Sequence, residues 1–257
     1  MVLTDKTILV TGSNRGIGRA IAEELAKHPV HLLLGMRDVK AYKPIVSNQV
    51  LSVKPVQLDL TSRESIDLGL KVMEADIVKL DILVNNAGIF VAGPLQKQSL
   101  DDIYAMFQVN VLGLIQLTNR LLPQLLARSK AKIINNASIA GYAFLPDNST
   151  YSATKAAVVG FSEALRRELI HSNVGVLHLV TPGVSTKMMD EVEATYARNG
   201  KPINLPKVSP EAWATKVVDA IVGDKTVLYP SGSTGLLRRI SHLRFLVDIV
   251  GRRMLPK

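Results

Sequence analysis

Short, largely apolar runs alternate with longer amphipathic stretches along this 257-residue chain, and no other feature constrains its fold as much. The runs fall at Thr7–Val10, Val30–Met36, Val53–Leu58, Ile82–Val84, Lys132–Asn136 and Val174–Val180, with Thr226–Tyr229 as a last candidate. Helical periodicity fills Gly16–Lys27, Ser62–Asp76, Asp101–Ala127 and Tyr151–His171. Strands that are apolar on both sides must be covered on both sides. The alternation therefore predicts an α/β fold: a doubly wound parallel sheet with helices on both faces. Hydrophobic residues make up 47% of the chain, enough for such a core. No repeat, low-complexity stretch or linker divides it, so residues 1–230 read as one domain and 231–257 as an appended tail. The stretch after Thr181 reads as a long polar loop, broken by Pro202, Pro206 and Pro210, of the kind that forms a lid or binding loop.

The first strand runs into Thr11-Gly12-Ser13-Asn14-Arg15-Gly16-Ile17-Gly18, and a helix follows. Glycines permit a tight turn and close backbone approach, and a helix N-terminus offers free N–H groups to a phosphate. The spacing is G-x3-G-x-G; alone it is weak evidence, with a plain strand-to-helix turn as the alternative. The second strand ends Met36-Arg37-Asp38. In dinucleotide folds an acid there bonds a ribose 2′-hydroxyl, whereas an arginine accommodates a 2′-phosphate. Arg37, with Arg15 from the turn, points to NADP(H); NAD(H) is the alternative, with Asp38 on the ribose.

A second constellation lies further on. Ser138 follows the fifth strand, and Tyr151-Ser152-Ala153-Thr154-Lys155 begins thirteen residues later. Tyr151 and Lys155 are four apart on a helix and share a face. A free phenol, with pKa about 10, is a poor acid/base at neutral pH. A neighbouring ammonium favours the phenolate and lowers that pKa. Singly, each residue has a plainer reading: a cap, a half-buried aromatic, a solvated lysine.

Taken together, these motifs resemble the short-chain dehydrogenase/reductase (SDR) family in its NADP(H)-preferring form, over about residues 5 to 186. The resemblance rests on Gly12, Gly16 and Gly18; Asp59; Asn85-Asn86-Ala87-Gly88; Asn110; Ser138; Tyr151-x3-Lys155; and Pro182-Gly183. It implies a single-domain Rossmann fold and a hydride transfer between NADP(H) and a carbonyl or secondary alcohol. Tyr151 would be the acid/base, Lys155 would tune it and bind the nicotinamide ribose, Ser138 would polarise the carbonyl, and Asn110 would support a water beside Lys155. Asp59 and Leu60 would meet the adenine, Asn86, Ala87 and Gly88 the adenosine ribose, and Pro182, Gly183, Val184 and Thr186 the carboxamide. Asn136 and Ala137 depart from the family's commoner Ile/Val and Ser, and Thr154 from a common Ser. An enoyl reductase would need a longer Tyr–Lys spacing, and a sugar-nucleotide epimerase a larger C-terminal region. Homo-oligomers, dimers or tetramers, are common in the family.

The segments after Ser138 (Tyr142, Ala143, Phe144, Leu145) and after Gly183 (Lys187, Met188, Met189, Tyr196) suggest an apolar, moderately bulky substrate. The same side chains could equally fill core gaps. There is no cysteine, which excludes disulfides and thiolate metal sites; no metal is expected. The opening MVLTDKTILVTG lacks a secretory pattern, and no uncharged apolar run reaches the ~18 residues of a membrane span. A cytoplasmic location is the expectation. Of the net charge of +9, the segment from Tyr229 onward carries +5, which argues against a nucleic-acid surface elsewhere. Within it Leu236, Ile240, Leu243, Val247, Val250 and Met254 form a helical apolar stripe among arginines. That tail either packs on protein or lies on an anionic membrane. Two rival readings are a non-catalytic NADP(H)-binding redox sensor and a membrane-associated scaffold.

Overall fold

The computed structural model describes residues 1–198, 200 and 206–230. The amphipathic tail expected at 231–257, and Pro202, lie outside the described residues. Seven parallel strands form one sheet: β1 (Thr7–Thr11), β2 (His31–Met36), β3 (Ser52–Gln57), β4 (Leu80–Asn85), β5 (Ala131–Asn136), β6 (Val174–Leu179) and, after the short β7 (Gly183–Val184) and β8 (Lys207–Val208), β9 (Val227–Leu228). The order is β3-β2-β1-β4-β5-β6-β9, so the winding reverses between β1 and β4. Ligands of open α/β sheets bind at that reversal, beyond the strands' carboxyl ends.

Burial explains the strand compositions. All five residues of β1, TILVT, are buried, because both faces are covered. Edge strand β3, SVKPVQ, is largely exposed and tolerates Pro55, which cannot donate to a ladder. Alternate side chains feed two cores. One packs β-strand residues such as Ile8 and Val10 against helices α1 (Gly16–Leu25) and, late in the chain, α8 (Pro210–Val222). The other packs Leu9, Leu33 and Leu83 against α2 (Arg63–Val72), α5 (Leu114–Leu126) and α6 (Ser149–Glu168). The link from β2 to β3 holds only a 3₁₀ turn at Val39–Ala41, and its Tyr42, Ile45 and Val50 pack on the core that α1 and α8 cover.

Three sequence expectations need correction. The helix expected over Ser62–Asp76 breaks at Met73, and a four-residue α3 (Glu74–Ile77) follows α2. The helix expected over Asp101–Ala127 divides into α4 (Leu100–Phe107), a π-helical segment (Gln108–Gly113) and α5. The expected polar loop after Thr181 instead holds β7, α7 (Lys187–Arg198), β8 and α8. Ser209 caps α8 by accepting from the Ala212 N–H at 3.1 Å, and Pro210 takes the first turn, where its missing N–H costs nothing. On the interior strand β5, Lys132 is buried and pairs with Asp224 at 2.6 Å; Lys130 and Lys132 together hold that carboxyl down at about 2.

Candidate active site

The turn after β1 is built for close backbone approach. Gly12 and Gly16 adopt φ of +64° and +56°, a region costly for other residues. A Cβ on Gly12 would lie 2.9 Å from the Ala87 Cα, and one on Gly18 would lie 2.3 Å from the Gly12 carbonyl oxygen. The N-terminus of α1 has no side-chain cap, which leaves its first N–H groups open to a bound anion. Ser13 is buried and donates its hydroxyl to the Gly35 carbonyl at 3.2 Å, which fixes the turn's base. Asn14 and Arg15 are exposed above it. Ile17 packs back onto the core. A cradle that a Cβ would fill, opening on free helical N–H groups, fits a pyrophosphate.

Met36 at the end of β2 is buried, so no carboxylate stands at that strand end. Arg37 is exposed, and neither Arg15 nor Arg37 makes an ion pair among the described residues. Asp38 is spent locally: its carboxylate accepts from the Lys40 N–H at 2.9 Å and caps the 3₁₀ turn. Asp59, half-buried beyond β3, accepts from the Thr61 N–H at 3.0 Å. The buried Leu60 offers its carbonyl to Gln108 at 3.1 Å, which ties the loop after β3 to the π-helical segment.

The catalytic candidates converge where β4, β5 and α6 meet. Thr11, at the end of β1, accepts from the N–H groups of Asn86 and Ala87, both at 2.9 Å. Gly88 leaves room beside Asn110 and Lys155: a Cβ there would lie 3.1 Å from Asn110 Oδ1 and 3.7 Å from Lys155 Nζ. Buried Asn110 grips Ile89 from both sides, accepting from its N–H at 2.8 Å and donating to its carbonyl at 2.9 Å. It also donates to Thr154 Oγ1 at 3.2 Å, whose hydroxyl bonds the Tyr151 carbonyl at 2.7 Å. The π-helical turn carries Asn110 inward, a use such turns often serve at functional sites.

Tyr151 lies in the first turn of α6, where the Ser138 side chain pulls its phenol toward a lower pKa. Ser138 Oγ also accepts from the Ala140 N–H at 3.1 Å. Phe90 packs edge-on against the Tyr151 ring, with centroids 4.7 Å apart. Lys155 Nζ lies 5.7 Å from the Tyr151 ring centroid and donates to the Asn136 carbonyl at 2.8 Å. Burial pushes the Tyr151 phenol up to about 12, more than the Ser138 bond pulls it down, and burial lowers Lys155 to about 8. The ammonium was expected to lower the phenol's pKa; instead burial raises it, and the opposing pull comes from Ser138.

The roof is formed by the segment after Gly183. Thr186 Cγ2 lies 3.4 Å from where a Gly16 Cβ would be, so this loop reaches the phosphate turn. Pro182 is half-buried, and Gly183 and Val184 pair with Lys207 and Val208, with a Gly183 Cβ 2.7 Å from the Pro206 carbonyl. Of the expected substrate liners, Ala143, Leu145 and Met188 are half-buried, Met189 is buried, and Phe144 and Lys187 are exposed. Tyr142 bonds His178 Nε2 at 2.9 Å. Tyr196 is buried and latches the roof, donating to the Pro146 carbonyl at 2.6 Å. Sequence reasoning missed Phe90 and Thr181, and it gave no role to the amide of Asn136; a polar residue closing a core strand was the available signal for the last.

Comparison with known proteins follows the same lines. Residues 6–197 match the family described as short chain dehydrogenase. The chain is 34% identical over 228 residues to an uncharacterized oxidoreductase of Staphylococcus aureus (strain USA300), covering 88% of this chain and 95% of that one. It is 33% identical over 232 residues to the ketoacyl reductase HetN of Nostoc sp. (strain PCC 7120), covering 87% and 78% of the two. Among solved structures it is similar to L-sorbose reductase from Gluconobacter frateurii complexed with NADPH and L-sorbose, with a TM-score of 0.78, 25% identity, and coverage of 91% and 98%.

Proposed function

The chain belongs to the short-chain dehydrogenase family and is an oxidoreductase, and from that premise we propose that it is an NADP(H)-preferring reductase of an apolar, moderately bulky ketone or aldehyde. The observation that carries this reading is the meeting of Ser138, Tyr151 and Lys155 beside a glycine cradle that fits a dinucleotide.

Bound nicotinamide supplies or accepts the hydride. The chain's own residues place and protonate the substrate. Tyr151, protonated at neutral pH, donates its phenolic proton to the carbonyl oxygen. Ser138 hydrogen-bonds the same oxygen and polarises the carbonyl. The Lys155 ammonium stabilises the phenolate that Tyr151 leaves behind, and Asn110 holds the Ile89 backbone and Thr154 against it. Phe90, Leu145 and Met188 give the substrate an apolar wall and exclude water. Exposed Leu100, Tyr104 and Leu112 offer an apolar face for a homo-oligomer, dimer or tetramer.

Arg15 and Arg37 hold the 2′-phosphate as a pair of forked donors. Two points support this: no acid ends β2, and Asp38 is engaged in its own turn. The related L-sorbose reductase was crystallised with NADPH. The test is the ratio of kcat/KM for NADPH over NADH in the wild type and in Arg37→Ala. Hydrogen bonds to charged groups contribute about 1.5–3 kcal/mol, so the ratio should fall by roughly 10- to 100-fold, with NADH kinetics unchanged. A wild type that prefers NADH, or a variant that loses both cofactors equally, would overturn the phosphate site.

A further inference from the structure

The carboxyl ends of four strands are joined by a line of polar side chains, and its middle member is Asn136. Thr181, just past β6, donates its hydroxyl to Asn136 Oδ1 at 2.5 Å. Asn136 Nδ2 donates to Asn86 Oδ1 at 2.8 Å. Asn86 Nδ2 in turn donates to the carbonyls of Thr11 at 3.0 Å and Gly12 at 3.4 Å. The direction of the line is fixed from the β1 end. Two carbonyls can only accept, so the Asn86 amide nitrogen must face them and its oxygen must face Asn136. Turning the Asn136 amide over would set oxygen against oxygen. Asn136 is 8% exposed and Thr181 6%, so water offers little substitute for a lost partner. The backbone carbonyl of the same Asn136 accepts the Lys155 ammonium.

One residue thus touches the phosphate turn through Asn86, the loop that leads to Pro182 and Gly183 through Thr181, and Lys155 through its backbone. We propose that Asn136 is a positioning residue, locking the Gly12 turn, the Thr181–Gly183 loop and Lys155 into one register so that both halves of the cleft are set together. This rests on the cofactor reading given above. It adds that the two halves are mechanically coupled through a single buried amide.

The test uses the full chain as Asn136→Val, Thr181→Val and the double variant, read two ways. Hydrogen exchange in the ligand-free protein reads the coupling alone. Asn136→Val should speed exchange at Asn86–Ala87 and at the segment after Thr181 together, while the amides of α5 keep their rates. NADPH-dependent carbonyl turnover reads the consequence. Asn136→Val should lower kcat about tenfold, the worth of one well-placed hydrogen bond, with the KM for NADPH changed about twofold or less. In the double variant both partners are apolar, so the thermal midpoint should recover relative to Asn136→Val. A merely structural role would restore kcat with it; a positioning role leaves kcat low. Unchanged exchange in Asn136→Val, acceleration at one end only, or recovery of kcat in the double variant would overturn the proposal. A wild type that neither binds NADPH nor turns over carbonyls would overturn the functional reading instead, and the exchange data would still decide the coupling.

Discussion

Burial sets the protonation of both Tyr151 and Lys155, outweighing at Tyr151 the opposing pull of Ser138. The phenol stands at about 12 and the ammonium at about 8, so at neutral pH both carry their protons. That is the state a reductase needs before it donates a proton. The pH dependence follows in sign. Lys155 loses its charge as pH rises through about 8, while Tyr151 stays protonated throughout that range. With NADPH and a carbonyl, kcat/KM should be level below about pH 7 and fall above about 8, since this ratio reports groups of the free enzyme. A ratio that climbs through pH 8 would mean that a deprotonated group is the active form. The pairing of these residues was legible from their four-residue spacing. Their desolvation was not, because it depends on Phe90 and on strand ends distant in sequence. Nor was the lysine's partner, a backbone carbonyl that sequence cannot mark.

Among the elements, the strands were legible because each is an apolar run with polar ends, and the helices around the site because their periodicity is plain. The π-helical segment was not, since it is set by backbone hydrogen-bond spacing over Gln108–Gly113 that no residue type marks. Helix α8 was missed for another reason. Pro210 was read as a breaker, although Ser209-Pro210-Glu211 is a helix start by capping and by proline's preference for the first turn. Its buried face, with Trp213, Val217 and Ile221, packs on α1 and so props the phosphate turn from behind. Trp213→Ala should cost about 3–5 kcal/mol, read as a lower urea midpoint at unchanged slope. The buried indole N–H has no hydrogen-bond partner among the described residues, so Trp213→Phe should cost markedly less. Equal losses for the two would show that shape alone decides at this position.

Over the whole molecule, the reversal of winding between β1 and β4 divides the labour. The β1 to β3 side presents Gly12, Arg15, Arg37 and Asp59; the β4 to β6 side presents Asn110, Ser138, Tyr151 and Lys155. The segment from Pro182 to Tyr196 meets both sides: Thr186 lies beside Gly16, and Tyr196 bonds the Pro146 carbonyl. No described helix is long and apolar enough to cross a membrane. On the proposed function, this arrangement reduces carbonyls with Tyr151 as the acid. Its direct test mixes the protein with NADPH or NADH and a panel of aliphatic and aromatic ketones and aldehydes, following the reduced-nicotinamide absorbance with Tyr151→Phe alongside. Carbonyl-dependent oxidation of NADPH is expected from the wild type. It should drop by roughly 10² or more in the variant, with NADPH binding kept, as removal of a general acid requires. Equal turnover by the variant, or no carbonyl-dependent oxidation of either cofactor, would contradict it.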